Sequence, residues 1–240
     1  MRFAAALTFI GILATSCGLT MADQSLRTQH ESFRAQGVST ARFETGAGSL
    51  TIIGSRTTSS IDVSADYRAG SVSQKDAQRI LENLRLTMEV RGETFFLKSE
   101  QLNNWNWGDS GRIDLTITLP STIRLDVDDG SGSITIREVD RDVKIEDGSG
   151  EIEVEGIRGN LVIDDGSGSI TVRDVDGSID IEDGSGGIDV SHVSGSVRIE
   201  DGSGSIDVND VNGDLVVPHD GSGSIHFSMV QGRVDIPRDR

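Results

Sequence analysis

Apolar residues in the second half of the chain recur in five columns with a period of 18 residues. Two columns lie two residues apart on one short stretch, two more lie on a second stretch, and a fifth falls between them. Residues two apart on a strand point to the same side, so these columns face one interior. The columns are Ile134, Ile152, Ile170, Ile188, Ile206 and Ile225; Ile136, Val154, Val172, Val190, Val208 and Phe227; Val139, Ile157, Val175, Val193, Val211 and Val230; Val143, Leu161, Ile179, Val197, Leu215 and Val234; Ile145, Ile163, Ile181, Ile199, Val217 and Ile236.

The tetrapeptide Asp-Gly-Ser-Gly keeps the same period. It begins at Asp129, Asp147, Asp165, Asp183 and Asp201, and again at Asp220 after 19 residues. A fixed short period is typical of a solenoid, and glycine supplies the backbone shapes that its corners need. We therefore predict an all-β protein, a single-stranded parallel β-solenoid with 18-residue turns, regular over residues 128–240. The general crossover rule favours right-handed winding.

Residues 39–127 follow the pattern less regularly. The segment Thr45 to Ile52 resembles a degenerate repeat, with Thr45 in place of aspartate. Capping-box spacing at Ser73 and apolar residues every three or four positions predict a short helix over residues 73–86. Strand-like stretches on either side of Arg91-Gly92-Glu93 predict a hairpin. We expect the helix to cap an open end or flank of the solenoid.

The first 22 residues have the pattern of an export signal, with an apolar run too short to span a bilayer. Two processing routes fit. Cys17 lies where a lipoprotein signal would be lipidated, and Ala22 ends a stretch that an ordinary signal peptidase would cleave. Residues 23–38 are mostly polar and predict a loosely held lead-in. The expected location is the periplasm, the outer membrane or the cell surface.

Charge is concentrated in the repeats. The net charge is -17; residues 1–127 contain 13 acidic and 13 basic side chains, whereas residues 128–240 contain 26 acidic and 9 basic ones. Such a surface repels nucleic acid and anionic lipid headgroups. We expect no nucleic-acid partner, and membrane attachment only through a lipid on Cys17. An envelope or cell-surface protein or a glycan stays open as partner, and the sequence leaves the oligomeric state open.

The repeated aspartates form a predicted ladder, because successive turns stack about 4.8 Å apart. In water, neighbouring carboxylates at that spacing repel by about 1 kcal/mol. One hypothesis is that each aspartate accepts hydrogen bonds from backbone N–H groups of its own turn. The other is that the carboxylates bind divalent cations between turns. The ladder consists of Asp129, Asp147, Asp165, Asp183, Asp201 and Asp220.

Both tryptophans fall in one polar loop. Trp105 and Trp107 lie among asparagines between residues 101 and 111. Indole faces and amides together form surfaces that bind sugars, which predicts a glycan site. Alternatively, one of the indoles folds back over the end of the core.

Catalytic patterns are missing from the sequence. The four histidines are scattered and have no metal-ligand spacing, and no long loop gathers acids and bases as in solenoid lyases. We therefore expect no enzyme and no cofactor.

The repeats carry a family resemblance. Gly130-Ser131-Gly132-Ser133-Ile134-Thr135-Ile136 and its five later copies, after Leu119-Pro120, resemble the repeats of a family of bacterial envelope proteins of unknown function labelled putative adhesins. The resemblance covers about residues 40–240. It implies a β-solenoid and an adhesin-like surface or scaffold role, and it supplies no catalytic or binding residues.

Overall fold

The computed structural model describes residues 9–11, 23–71, 73–101 and 110–236. They form two facing β-sheets, one long strand that belongs to both sheets, and one helix. Sheet A contains β1 (Phe9–Gly11), β2 (Asp23–Arg34), β4 (Leu50–Ser55), β5 (Ser60–Ser71), β8 (Ser110–Pro120), β11 (Gly150–Ile157), β13 (Gly168–Val175), β15 (Gly186–Val193), β17 (Gly204–Val211) and β19 (Gly223–Val230). Sheet B contains β3 (Thr40–Ala47), β6 (Leu84–Arg91), β7 (Thr94–Gln101), β10 (Val143–Asp147), β12 (Leu161–Asp165), β14 (Ile179–Asp183), β16 (Val197–Asp201), β18 (Leu215–Asp220) and β20 (Val234–Asp235). Strand β9 (Arg124–Val139) belongs to both sheets, and α1 spans Gln74–Asn83.

The predicted parallel solenoid is confirmed. In sheet B, Val143 lies opposite Leu161 and Ile145 opposite Ile163, and in sheet A Ile152 lies opposite Ile170. Each pair is 18 residues apart, so every turn places one strand in each sheet. The apolar columns form a continuous core between the sheets, with their members at most 2% exposed up to Val217.

The column pattern fails at the last turn. Phe227 and Val234 are exposed, and Ile225, Val230 and Ile236 are only partly buried. These residues occupy core columns, but no described turn stacks beyond them.

Chain order and stacking order differ in the first half. Strands β3 and β4, which contain the degenerate repeat, pair in parallel with β9 on one side and with β7 and β8 on the other. Residues 40–55 therefore form a complete turn beneath the first regular one, 84 positions away in sequence, as in the pairing of Thr45 with Asp129. The 18-residue period is irregular in the first half because residues 40–55 stack between strands that come later in the chain.

The lead-in prediction for residues 23–38 is wrong for most of that range. Residues 23–34 are β2, which pairs antiparallel with β5 along its whole length. Its polar residues alternate with half-buried ones such as Phe33, and Phe33 packs on the ring of Phe95 at 5.2 Å. On its other side β2 pairs only at residues 28–30, with β1, so most of β2 lies at the edge of sheet A and keeps one polar face, which gave it the composition of a tether.

The predicted helix and hairpin both exist, although the helix ends earlier than expected. Ser73 is its N-cap and its Oγ accepts a hydrogen bond from the Asp76 backbone N–H at 3.2 Å. The helix ends at Asn83, because Leu84 begins β6, which forms the hairpin with β7. Ala77 and Ile80 are its buried residues, and it packs on β2 and β5. The helix thus covers the flank of the N-terminal end of sheet A.

Within the part of the chain that the structure describes, no helix is long and apolar enough to cross a membrane.

Candidate functional site

The repeated aspartates from Asp129 to Asp201 are buried. Their exposed fractions are 1–7%, and each is the last residue of its strand in sheet B or, for the first, lies at the same position of β9. In β10 the side chains of Val143, Ile145 and Asp147 all point inward by strand alternation. Strand alternation extended by two residues, from Ile145 to Asp147, predicts this burial from the sequence alone. The buried ladder is Asp129, Asp147, Asp165, Asp183 and Asp201.

The hypothesis of local backbone hydrogen bonds holds for one oxygen of three of the carboxylates. Oδ1 of Asp165, Asp183 and Asp201 accepts from the backbone N–H two residues on, at 3.2, 3.1 and 3.0 Å. These contacts are the Asx turns predicted for the Asp-Gly-Ser-Gly corner. Successive corners are also tied by backbone bonds, such as that from the Gly166 N–H to the Asp147 carbonyl at 2.9 Å.

The other oxygen of each carboxylate has no hydrogen-bond partner among the described residues. This holds for Oδ2 of Asp129, Asp165, Asp183 and Asp201 and for both oxygens of Asp147. A buried charge without partners is costly, and the protonated form then becomes favoured.

The titration of the ladder follows from this burial. Burial raises the pKa of Asp183 to about 6, assisted by the neighbouring charges of Asp165 and Asp201. Burial likewise raises the pKa of Asp147 to about 6, with Asp129 and Asp165 as its charged neighbours. The pKa values of Asp129, Asp165 and Asp201 are raised by the same cause. Asp147 and Asp183 therefore hold protons at mildly acidic pH.

Asp220 departs from the ladder. It is half-buried, and the extra residue near His219 shifts the register of β18 against β16. In the described parts of the chain, no group of three or more His, Cys, Asp or Glu residues is arranged to hold a metal ion. The cation hypothesis thus stays a prediction for a titration experiment.

A second row of carboxylates runs along the outer face of sheet B. Its members precede the buried aspartates by one residue and stack in register. Lys144 pairs with Glu146 and Arg198 with Glu200. The acidic row is Asp128, Glu146, Asp164, Glu182 and Glu200.

A large cavity lies near the N-terminal end of sheet A and was missed by sequence reasoning. Its volume is about 580 Å³, and glycines, serines and the side chains of Arg68, Arg112 and Asp114 line it. Arg68 and Arg112 are directly opposite each other on β5 and β8. Like charges in that position repel. The carboxylate of Asp114 lies between them, with Oδ2 at 2.8 Å from Nε of Arg68 and Oδ1 at 3.4 Å from Nε of Arg112. Two guanidinium groups thus share one carboxylate and leave one positive charge at the cavity.

The predicted tryptophan site cannot be placed by geometry. Trp105, Trp107 and Cys17 lie outside the described residues. Ser110, the first described residue after the tryptophan loop, lines the large cavity, and Gln101, the last before it, lines a neighbouring one of about 120 Å³.

A further ladder lies at the corner between sheet A and the following turn. It includes five non-glycine residues with φ between 54° and 59°, a backbone conformation that costs energy for ordinary side chains. Nδ1 of His192 lies 3.4 Å from Oδ1 of Asp174 in the preceding turn. Because these residues differ in type, no sequence motif marks the corner. They are Glu138, Asp174, His192, Asp210 and Met229.

Comparison with known proteins agrees with this architecture. The sequence profile of the Toastrack DUF4097 family matches residues 49–237. This chain belongs to that family. The function of the family is unknown, and the match covers all the regular turns and begins within the degenerate turn.

Solved structures of similar fold have low sequence identity. A protein from Bacteroides fragilis named a putative adhesin has a TM-score of 0.49 and 15% identity over 88% of this chain and 97% of its own. Another putative adhesin, from Parabacteroides distasonis, has a TM-score of 0.44 and 11% identity over 90% and 96%. A protein from the same species named a putative lipid binding protein has a TM-score of 0.42 and 14% identity over 90% and 97%. No curated protein matches the chain.

Proposed function

We propose that this Toastrack DUF4097 protein is a non-enzymatic, exported protein of the cell envelope. It acts as an adhesin-like scaffold on which the acidic row of sheet B binds a basic surface of an envelope or cell-surface partner. The observation that carries this proposal is the row itself, five outward carboxylates stacked in register along one sheet.

Electrostatics supports a binding role for this row. Neighbouring carboxylates about 4.8 Å apart cost energy in the free protein, and a basic partner relieves that cost. Long-range attraction of this kind mainly raises the association rate and weakens with salt. The rigid core behind the row keeps its spacing fixed, so a partner with matching charges binds a preformed surface.

Export is supported by the sequence of residues 1–22. An apolar run after Met1-Arg2 and small residues before Cys17 and at Ala22 are the features of an export signal. Fractionation of cells that express the full chain tests this step. Recovery in the envelope fraction agrees with the proposal, and recovery in the cytoplasm contradicts it.

The binding role is tested by reversing charges on one sheet at a time. Asp164→Lys with Glu182→Lys changes the acidic row, whereas Asp189→Lys with Asp207→Lys makes the same change on the exposed face of sheet A. We expect the sheet B double variant to lose salt-sensitive capture of envelope proteins and cell adhesion, and the sheet A variant to keep both. Equal behaviour of the two double variants would reject the acidic row as the binding surface.

A second candidate function is glycan binding at the large cavity. Its volume of about 580 Å³ suits a small ligand, and Arg68, Arg112 and serine hydroxyls offer donors for a sugar, above all one that carries a carboxylate. Ser110, the first described residue after the two tryptophans, lies on the cavity wall. Binding on a glycan array that is lost in Arg112→Ala and in Trp105→Ala with Trp107→Ala would support it. The absence of binding to any glycan would remove it.

A further inference from the structure

The two ends of the solenoid differ in whether further strands and a helix cover them. At the N-terminal end, sheet A continues into the antiparallel strands β5 and β2, and α1 covers their flank. At the C-terminal end, β19 pairs on one side only, with β17, among the residues that the structure describes. A solenoid normally needs a polar cap at each end, and an uncovered edge strand offers free N–H and C=O groups to another chain.

The side chains at this end are apolar where a cap would be polar. Phe227 is 48% exposed and stands in a column that holds Ile or Val in every earlier turn. Met229 is 65% exposed and occupies the corner position where earlier turns have Glu, Gly, Asp or His. Val234, in sheet B, is 37% exposed. Three of the seven exposed large hydrophobic residues of the described chain thus lie in this one turn.

The last turn also lacks the negative charge of its neighbour. Residues 202–220 contain four aspartates and neither lysine nor arginine, whereas residues 221–236 contain one aspartate and one arginine. Two copies of so acidic a protein repel each other through the sides of the regular turns, and the last turn adds no net charge to that repulsion.

We propose that the C-terminal edge, formed by β19 and β20 with Phe227, Met229 and Val234, is a self-association surface that binds the same edge of a second copy of this chain. A two-fold axis through the contact would bring two β19 strands side by side in antiparallel pairing and place the two open cores against each other. Arg233 and Asp235 on this edge give each copy one charge of either sign.

A two-fold contact suits the residues better than head-to-tail stacking. In the two-fold contact both copies bury the same apolar edge. Head-to-tail stacking would set that edge against the other end of the solenoid, where β2 is mostly polar and includes Arg27 and Arg34. It would also leave the contact open to filament growth.

The size of the edge indicates a weak dimer. The eight residues of β19 span about 26 Å, and facing sheets lie about 10 Å apart. The end of one copy therefore covers a few hundred Å², well below the roughly 800 Å² per partner of a standard interface. We expect the dimer to form in concentrated samples and to dissociate on dilution.

Sedimentation equilibrium of the full chain over a wide concentration range tests the proposal. We expect a reversible monomer–dimer equilibrium in the wild type, weakened about tenfold or more by Met229→Lys and by Phe227→Lys. The matched control is Val162→Lys, because Val162 is 41% exposed in β12 on the outer face of sheet B; we expect it to dimerise like the wild type. Hydrogen exchange should slow in the amides of β19 as the concentration rises.

Met229→Lys keeps the test valid if Phe227→Lys frays the last turn, because the Met229 side chain is mostly exposed and its replacement leaves no cavity. A monomer at every concentration would overturn the proposal, and so would a dimer that Met229→Lys leaves unchanged. The first result would mean that this edge does not bind a second copy, and the second that the copies meet elsewhere.

Discussion

Thr45 donates a hydrogen bond from its Oγ1 to Oδ1 of Asp129 at 2.5 Å, across 84 residues of sequence. Thr45 is the residue that replaces aspartate in the degenerate turn, and that turn stacks directly beneath the first regular one. The buried aspartate ladder therefore ends at a hydroxyl donor instead of another carboxylate. The substitution stops the accumulation of buried charge at this end of the ladder.

Restoring an aspartate at this position should lengthen the ladder and destabilise the protein. Thr45→Asp removes the donor to Asp129 and places a second carboxylate beside it, for a loss of about 1–3 kcal/mol near neutral pH. Thr45→Ser, which keeps a hydroxyl, is the matched control. Urea unfolding at about pH 8 and about pH 5 measures the effect, since protonation at the lower pH relieves the repulsion. Equal stability of the two variants at both pH values would contradict this role of Thr45.

The buried ladder should make the protein more stable in mild acid than at neutral pH. An aspartate in the unfolded chain has a pKa of about 3.9, and burial raises the folded values of Asp147 and Asp183 to about 6. Their stabilisation is fully present below the unfolded pKa and is lost as pH rises through about 6. A shift of about two units corresponds to at most about 3 kcal/mol per residue. The measurement is the free energy of unfolding across this range.

Asp140 lowers the free energy of unfolding when the pH becomes strongly acidic. Hydrogen bonds from Arg56 and Ser121 lower its pKa to about 2. Its contribution has the opposite sign, because it is present above the unfolded pKa and is lost as pH falls through about 2. We therefore expect maximal stability at about pH 4–5.

Asp183→Asn isolates the contribution of one ladder position. The amide resembles the protonated acid, so we expect the variant to gain about 1–2 kcal/mol at about pH 8 and little at about pH 5. Glu182→Gln is the control, because Glu182 is the exposed neighbour on the same strand. A Glu182→Gln variant with the same gain would show that general charge reduction, and not burial, is responsible.

The sequence predicted the regular turns well because one physical signal repeats in them. Ile152 and Val154 face the core for the same reason as Ile134 and Ile136, and the 18-residue register follows directly. The insertion of residues 40–55 between β8 and β9 could not be predicted, because stacking order is a tertiary property that local periodicity does not encode. The burial of Asp147 could be predicted from the sequence, because strand alternation places its side chain on the same side as Ile145.

Other parts of the candidate site depend on contacts between distant segments. Arg112 and Asp114 lie two residues apart on β8, and only the pairing of β5 with β8 brings Arg68, 44 residues before Arg112, to the same carboxylate. The side chain of Asp142 accepts a hydrogen bond from the Asn160 backbone N–H of the next turn at 2.9 Å, and Asn160 does the same for Ser178 at 3.0 Å. Aspartate, asparagine and serine alternate in this role, so the column does not stand out in the sequence.

Removal of divalent cations should leave the stability nearly unchanged. Asp165, Asp183 and Asp201 already accept hydrogen bonds from backbone N–H groups of their own turns, and burial of the ladder favours protons over metal ions. We expect the melting temperature in excess chelator to stay within about 2 °C of the untreated value, and added calcium to have no larger effect. A fall of several degrees that calcium reverses would instead support cation binding between turns.

Close stacking of the corners should make one glycine essential and leave another free to change. Gly168 has a φ of +147°, and a Cβ there would lie 1.6 Å from the carbonyl oxygen of Gly150 in the preceding turn. Gly187, in the next turn, has only Ser205 Oγ near such a Cβ, at 3.9 Å, and the turns on either side have serine at this position. We expect Gly168→Ala to cost about 3 kcal/mol or more, because neither backbone can move without separating the turns. Gly187→Ala should change stability by less than about 0.5 kcal/mol. Denaturant unfolding of both variants measures the difference, and comparable losses would mean that the corner tolerates a side chain at Gly168 by a shift between turns.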